Sequence, residues 1–377
     1  MDASQFLDLD LSPRILLGPG PSMVSPRVLH ALATPLVGHL DPEFLSLMQE
    51  VQKLLRYVFQ TDNELTVPIS GTGSAGMEAA LCNFIEPGDR VLIAIQGYFG
   101  ERLFDMAGRY GAQVDRLDKP WGQVFDPAEI KAALNKAKYK LLAIVHAETS
   151  TGACQPGIGE IAAAAHQSGA LLVLDTVTSL GGLPVEIDAW EVDVAYSGTQ
   201  KSISAPPGLA PLTVSPRARE VLRKRRIPVQ NWYLDLSMLE KYWGKERTYH
   251  HTAPVSMNYA LREALRIVAE EGLEARFARH RANAESLWAE LEEMDLSLLV
   301  PIEHRLPTLT TPLVPPGVDE VEVRQRLLSD YNIEIAGGFG PLKGQVWRIG
   351  LMGFSSRREN VALLLAALRE ILANSRK

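Results

Sequence analysis

Between residues 65 and 196, short apolar runs alternate with amphipathic stretches. Residues 65–69, 91–95, 141–145 and 171–174 are near-continuous apolar runs with no inside-outside alternation. Such runs predict strands buried on both faces, and so a mainly parallel sheet covered by helices. The stretches between them carry helix punctuation. Asp41-Pro42 opens a helix running to Phe59, with Asp41 as N-cap and Pro42 at the first helical position. A glycine-rich turn, 70–76, leads into a helix that ends before Pro87. Helix 100–110 stops at Gly111, and Asp126-Pro127-Ala128-Glu129 is a capping box that opens helix 127–138. Helix 159–168 ends at Gly169. Weaker strands are expected at 112–117 and 193–196.

The C-terminal third has a different rhythm. Residues 258–294 are helical with a break near Gly272. Short strands follow at 297–300, 308–312, 333–336 and 346–350, with helices at 319–329 and 356–373. The expected class is α/β: a large domain with a mainly parallel, seven-stranded-type sheet and a smaller C-terminal α+β domain. The boundaries expected are an arm over 1–13, the large domain over 14–272 and the small domain over 273–377.

Composition narrows the function without naming it. Of 377 residues, 46% are apolar and 22% charged, which suits a globular protein with a large core. Net charge is 38 − 45 = −7. The one basic cluster, from Arg217 to Arg226, follows Pro216 and reads as a solvated helix face, so nucleic acid is not an expected partner. Two cysteines give no disulfide framework and no metal-type spacing. No apolar run reaches the ~20 residues of a membrane span, and neither end carries a targeting pattern. The expected location is cytoplasmic.

The candidate chemistry collects at strand ends. Lys201 follows strand 193–196 on a short turn of small residues, before Ser204-Ala205-Pro206-Pro207-Gly208. Asp175 ends the run 171–174, where a buried carboxylate is costly unless a cation or donor meets it. A lysine and an aspartate at neighbouring strand ends suit pyridoxal 5'-phosphate: the lysine bonds the aldehyde and the aspartate keeps the pyridine nitrogen protonated. Gly71-x-Gly73-x-x-Gly76 also fits the dinucleotide fingerprint. The next strand ends in Gln96-Gly97 without the carboxylate that a ribose needs, so a cradle for one phosphate is the better reading and a nicotinamide oxidoreductase the remote one. Gly18-Pro19-Gly20-Pro21-Ser22 is a rigid loop that could line the pocket, with Gly20 expected against the substrate. Phe99 could stack on a planar ring, whereas Tyr98 is expected in ordinary core packing. Thr149 could reach a ligand. His146 and Glu148 lack a third metal ligand at suitable spacing and are expected to serve structure, and the adjacent His250 and His251 are expected to serve structure or contact a ligand. Arg348, between Trp347 and Ile349, is either a salt-bridged strand residue or a clamp for a carboxylate.

Taken together these motifs resemble the class V, fold type I, pyridoxal-phosphate aminotransferases, most closely the alanine–glyoxylate and serine–glyoxylate enzymes. The resemblance runs through Leu17-Gly-Pro-Gly-Pro-Ser22, Ser70-Gly-Thr-Gly-Ser74, Glu148-Thr-Ser-Thr-Gly152, Asp175 with Ser179-Leu-Gly-Gly182, Ser197-Gly-Thr-Gln-Lys201, Tyr249-His-His-Thr252 and Trp347-Arg-Ile-Gly350. It implies that Lys201 carries the cofactor and shuttles the proton, and that Asp175 pairs with the ring nitrogen. Thr149 would bond the phenolic oxygen. Thr72, Gly73, Ser74 and Gln200 would hold the phosphate, and Arg348 the substrate carboxylate. Tyr249 and Thr252 would reach the neighbouring subunit's phosphate, making the active unit a homodimer with shared sites. Two positions depart from the family pattern: the ring-stacking residue, often Trp, is Phe99, and the last phosphate-loop residue, sometimes His, is Ser74. The implied reaction moves an amino group from alanine, or serine, to glyoxylate, giving glycine and a 2-oxo acid. A serine–pyruvate or other class V transaminase is the alternative. A cysteine desulfurase needs a C-terminal thiol, which neither Cys82 nor Cys154 supplies.

Overall fold

The computed structural model describes residues 9–375; most of the expected arm, 1–8, lies outside them. The chain builds one seven-stranded sheet from β1 (Leu65–Ser70), β2 (Arg90–Ile95), β3 (Gln113–Asp118), β4 (Leu141–Val145), β5 (Leu171–Asp175), β6 (Val194–Tyr196) and β7 (Leu209–Val214). Their spatial order is β1-β7-β6-β5-β4-β2-β3. The pairs β2–β3, β2–β4, β4–β5 and β5–β6 are parallel, and β7 runs antiparallel to both β6 and β1. Each of β4, β5, β6 and β7 is buried along its whole length, as uninterrupted apolar sequences require when helices cover both faces.

Twelve helices accompany the sheet among the described residues: α1 (Pro26–Leu32), α2 (Pro42–Phe59), α3 (Gly73–Cys82), α4 (Tyr98–Arg109), α5 (Pro127–Leu134), α6 (Ile158–Gln167), α7 (Pro216–Arg223), α8 (Leu236–Trp243), α9 (Val255–Glu271), α10 (Leu273–Glu293), α11 (Glu320–Tyr331) and α12 (Arg358–Ser375). Expected starts hold where a cap sets them. The Asp41 side chain accepts from Glu43 N–H at the head of α2, and the Asp126–Glu129 capping box opens α5. α5 stops at Leu134 because Asn135 already forms its C-cap, four residues short of the expected end.

Two apolar clusters sandwich the sheet. A third gathers Leu17 with α10, α11, α12 and Trp347, Ile349 and Leu351. Ile15–Leu16 enters it by pairing in parallel with Ile333–Glu334. Arg348 sits in the strand Trp347–Gly350, which lies between Leu309–Thr310 and Ala336–Gly337 in a three-stranded sheet. The strand expected at 297–300 does not form. There the chain makes a single bridge, Leu298 to Pro312, flanked by Leu299 N–H to Thr311 O and Leu313 N–H to Ser297 O.

Candidate active site

β5 and β6 end side by side, with Asp175 and Tyr196 paired in register. Asp175 is fully buried, and its carboxylate accepts from Val177 N–H at 2.8 Å and from the Tyr196 hydroxyl at 2.7 Å. Burial pushes its pKa up to about 6, against the pull of those two donors and of the Lys201 and Arg102 charges.

The chain leaves β6 through small residues and turns sharply at Ser204, whose φ is +60°. Lys201 is held at the start of that turn. Ser204 N–H and the Ser22 hydroxyl both donate to the Lys201 carbonyl, at 3.0 and 2.8 Å. Its side chain is buried, and the amine donates to the Pro19 carbonyl. Burial first, and the Arg348 guanidinium second, push the amine down to about 8. Gly20 explains how the amine fits. Its φ is +111°, and a Cβ there would lie 2.8 Å from the lysine's Cδ and Nζ.

Thr149 follows β4, its hydroxyl hydrogen-bonded to that of Thr178. Glu148 beside it is fully buried and accepts from Phe99 N–H, Ser150 N–H and the Ser150 hydroxyl at 3.3, 3.0 and 2.6 Å. Burial pushes it up to about 7. It thus anchors the start of α4, and with it Phe99. His146 bonds Ser179 at 3.0 Å and is pushed by burial down to about 4. Both side chains are tied into hydrogen bonds within the fold.

Thr72 caps α3 without using its side chain, so its exposed hydroxyl, that of Ser74 and the free first-turn N–H groups face outward together. The Arg102 guanidinium bonds the Ser74 hydroxyl at 3.0 Å and lies over the Phe99 ring at 4.9 Å. Gln200 Oε1 is buried with no hydrogen-bond partner. Arg348 reaches the same space from the small sheet. It donates to Gly337 O at 2.8 Å and lies under the Phe339 ring, 3.9 Å from its centre. Burial brings it down to about 10, and the Glu148 charge pulls the other way.

Tyr249 and Thr252 stand apart from this cluster. Both are exposed, Tyr249 packing against His39. His251 bonds the Ser70 hydroxyl at 2.7 Å and His250 at 2.9 Å, a structural chain at the foot of the glycine-rich turn. Tyr98 is not a core residue: it is 39% exposed and packs edge-on against Phe99 and beside Phe339. Four contributors were absent from the sequence reading: Tyr196, Arg102, Phe339 and the Ser22–Ser204 pair. Tyr196 carried a signal, since it ends an apolar strand five residues before the lysine.

Glu148, Asp175, Lys201 and Arg348 are all largely buried, yet among the described residues none forms an ion pair within 4.0 Å. Around them lie an anion-ready helix start, a guanidinium at its hydroxyls and an aromatic ring. That donor set fits a flat, anionic, aldehyde-bearing group, and the fold with this site defines the class of fold type I pyridoxal-phosphate enzymes. The chain belongs to the aminotransferase class-V family, whose model matches residues 17–359, and it is a transaminase of that class. It is 44% identical to the (S)-ureidoglycine–glyoxylate transaminase of Bacillus subtilis, covering 95% of this chain and 90% of that one. It is 42% identical to an alanine–glyoxylate aminotransferase of Drosophila melanogaster, covering 96% and 93%. The crystal structure of an alanine–glyoxylate aminotransferase from Nostoc sp. superimposes with a TM-score of 0.96 at 55% identity, over 99% of each chain. The cofactor of the class is pyridoxal phosphate.

Proposed function

We propose that this enzyme transfers an amino group from a small amino acid, alanine before serine, to glyoxylate. The observation that carries the reading is Arg348: one buried guanidinium, free of carboxylates, whose charge Lys201 feels and which lies against the Phe339 ring, itself packed on Tyr98. One clamp suits substrates with one carboxylate, and the aromatic pair suits a short side chain. The alanine–glyoxylate relatives support this donor. The Bacillus subtilis relative favours ureidoglycine as a second donor with the same acceptor.

Bound, pyridoxal phosphate supplies the electron sink for the pair left at the amino acid's Cα. The chain does the rest. Lys201 would carry the cofactor and, once freed, move the proton from Cα, a task for which an amine pushed down to about 8 is suited. Asp175 would hold the ring nitrogen, Thr149 the phenolic oxygen and Phe99 the ring face. Thr72, Gly73, Ser74 and Gln200 would bind the phosphate. Gly20 would leave room for substrate beside the amine, and Arg348 would fix its carboxylate. Exposed Tyr249 and Thr252 support a homodimer in which each subunit completes its partner's phosphate site. The third apolar cluster supports a small domain over 273–377 beside a large one over 14–272, with Leu17 reaching across. No helix among the described residues is long and apolar enough to cross a membrane, and we place the enzyme in the cytoplasm. Steady-state rates with alanine, serine, aspartate and ureidoglycine, each against glyoxylate and pyruvate, test the reading. Faster turnover of aspartate than alanine, or of pyruvate than glyoxylate, would sink it.

A further inference from the structure

Asp175 has two protein donors, and they differ in kind. Val177 N–H comes from the carboxylate's own turn, as at many strand ends. The Tyr196 hydroxyl comes from the next strand, at the position directly in register. Neither side chain has meaningful exposure, so no solvent competes for the bond. A phenol buried there needed some acceptor, but a main-chain carbonyl would have satisfied it. Donation to a carboxylate is the stronger, charge-assisted choice, and it favours the ionised acid.

We propose that Tyr196 is a positioning residue for cofactor binding: its hydroxyl holds Asp175 ionised and fixes the carboxylate's rotation, leaving the remaining lone pairs for one cationic N–H. The ligand side of this claim rests on the class V reading of the site; the tyrosine–aspartate coupling does not. Every charged group that faces Asp175 bears on the argument. Lys201 and Arg102 favour its charge, and Glu148 feels it as a like charge. Burial works against ionisation, so the hydroxyl, with Val177 N–H, Lys201 and Arg102, is one of four influences that favour the charged acid. A tyrosine that only filled space would leave the aspartate's titration unchanged when the oxygen is removed.

The experiment uses Tyr196→Phe, which keeps the ring and deletes the bond. Apoprotein of wild type and variant is labelled with 13C at the aspartate carboxyl, the Asp175 signal being assigned by its loss in Asp175→Asn. The Asp175 midpoint is expected to rise by about one pH unit in the variant, the size of one charge-assisted bond. An unmoved midpoint overturns the coupling, whatever the cofactor. Dissociation constants for pyridoxine phosphate, which lacks the aldehyde, are then measured by fluorescence from pH 5 to 8.5. The variant's loss of affinity is expected to be about tenfold near pH 5, about fivefold near pH 6 and under about threefold at pH 8. A loss of equal size at every pH overturns the electrostatic role. Wild type that titrates as expected but binds no pyridoxine phosphate overturns the cofactor reading instead. Should the variant not fold, Tyr196→His, a smaller ring that cannot place a donor where the phenol does, must give a midpoint above wild type's; a midpoint equal to wild type's counts against the proposal.

Discussion

Two sets of charges in this molecule obey opposite rules. Across α1, α2 and α9, Arg27, Arg262 and Arg266 mesh with Glu50, Glu263 and Glu270 at 2.5–3.6 Å. Five of those side chains keep 34–49% of their surface in water, where a charge costs little even unpaired, while the sixth, Glu263, is buried and shared by all three arginines. Beyond the ends of β4, β5 and β6, Glu148, Asp175 and Lys201 are buried, as is Arg348 in the small sheet, and there an unpaired charge is expensive. Yet these are the ones without ion pairs. Selection for stability alone would reverse the arrangement. The difference marks the strand ends as the candidate place where groups are kept available at a cost in stability, the pattern of perturbed sites in clefts.

Replacing Lys201 sharpens that contrast most. Lys201→Met should abolish transamination by about 10,000-fold or more, since both the covalent anchor and the proton carrier go. The same change should stabilise the apoprotein at pH 7 by roughly 2 kcal/mol, because a buried ammonium disappears. The sign follows from the depressed amine. Its cost is full below about 8 and fades as pH rises toward its ordinary 10.5, so the variant's advantage should shrink over that window. Urea melts of apoprotein at pH 7 and 10 check this; equal gains at both would contradict it. Gly20→Ala comes next. Its Cβ would fall on the lysine, and φ of +111° strains any L side chain. Turnover should fall about 10–100-fold through displacement of the amine, read as kcat with saturating alanine.

How much of this was legible beforehand depends on how local the cause was. Helix starts were readable because Asp41, Asp126 and their prolines act within one turn. Lys201 and Asp175 were readable because apolar runs ending in a polar residue mark sheet edges. β7 was not read as a strand at all; in the fold its Pro211 stands directly opposite Pro68 of β1, so each proline falls in an inner pair of strands. Tyr196 and Arg102 depend on which strands and helices become neighbours, and periodicity carries no such information. Tyr98 was misplaced for the same reason: its partner Phe339 arrives from 241 positions away in a different sheet's loop.

A smaller effect separates the buried amine from ordinary lysines. Apoprotein mixed with pyridoxal phosphate should develop its visible band at a rate set by neutral Lys201. That rate should climb about tenfold from pH 6 to 7 and level off above about 8. A lysine in water would keep accelerating toward 10.5. Stopped-flow absorbance at constant ionic strength reads the midpoint, and a plateau absent by pH 9.5 would break the argument that burial has tuned this amine.

The smallest effect belongs to the surface network, and its smallness is the point. Arg266 reaches Glu263 at 2.8 Å and Glu270 at 2.5 Å, both on its own helix. Its removal leaves Glu263 bonded to Arg27 at 2.8 Å and near Arg262 at 3.6 Å, so no carboxylate is stranded. Water replaces what the guanidinium supplied. Arg266→Ala should therefore leave turnover at the wild-type value and lower the melting temperature only slightly, with the difference vanishing in 1 M salt as screening takes over. The contrast then stands on a single comparison in one calorimeter. Deleting an arginine with two ion-pair partners costs almost nothing, whereas deleting a lone buried cation makes the apoprotein harder to unfold. If Arg266→Ala instead melted far below wild type at all salt concentrations, the exposed network would be holding the fold together, and the unpaired strand-end charges would lose their claim to be the exception.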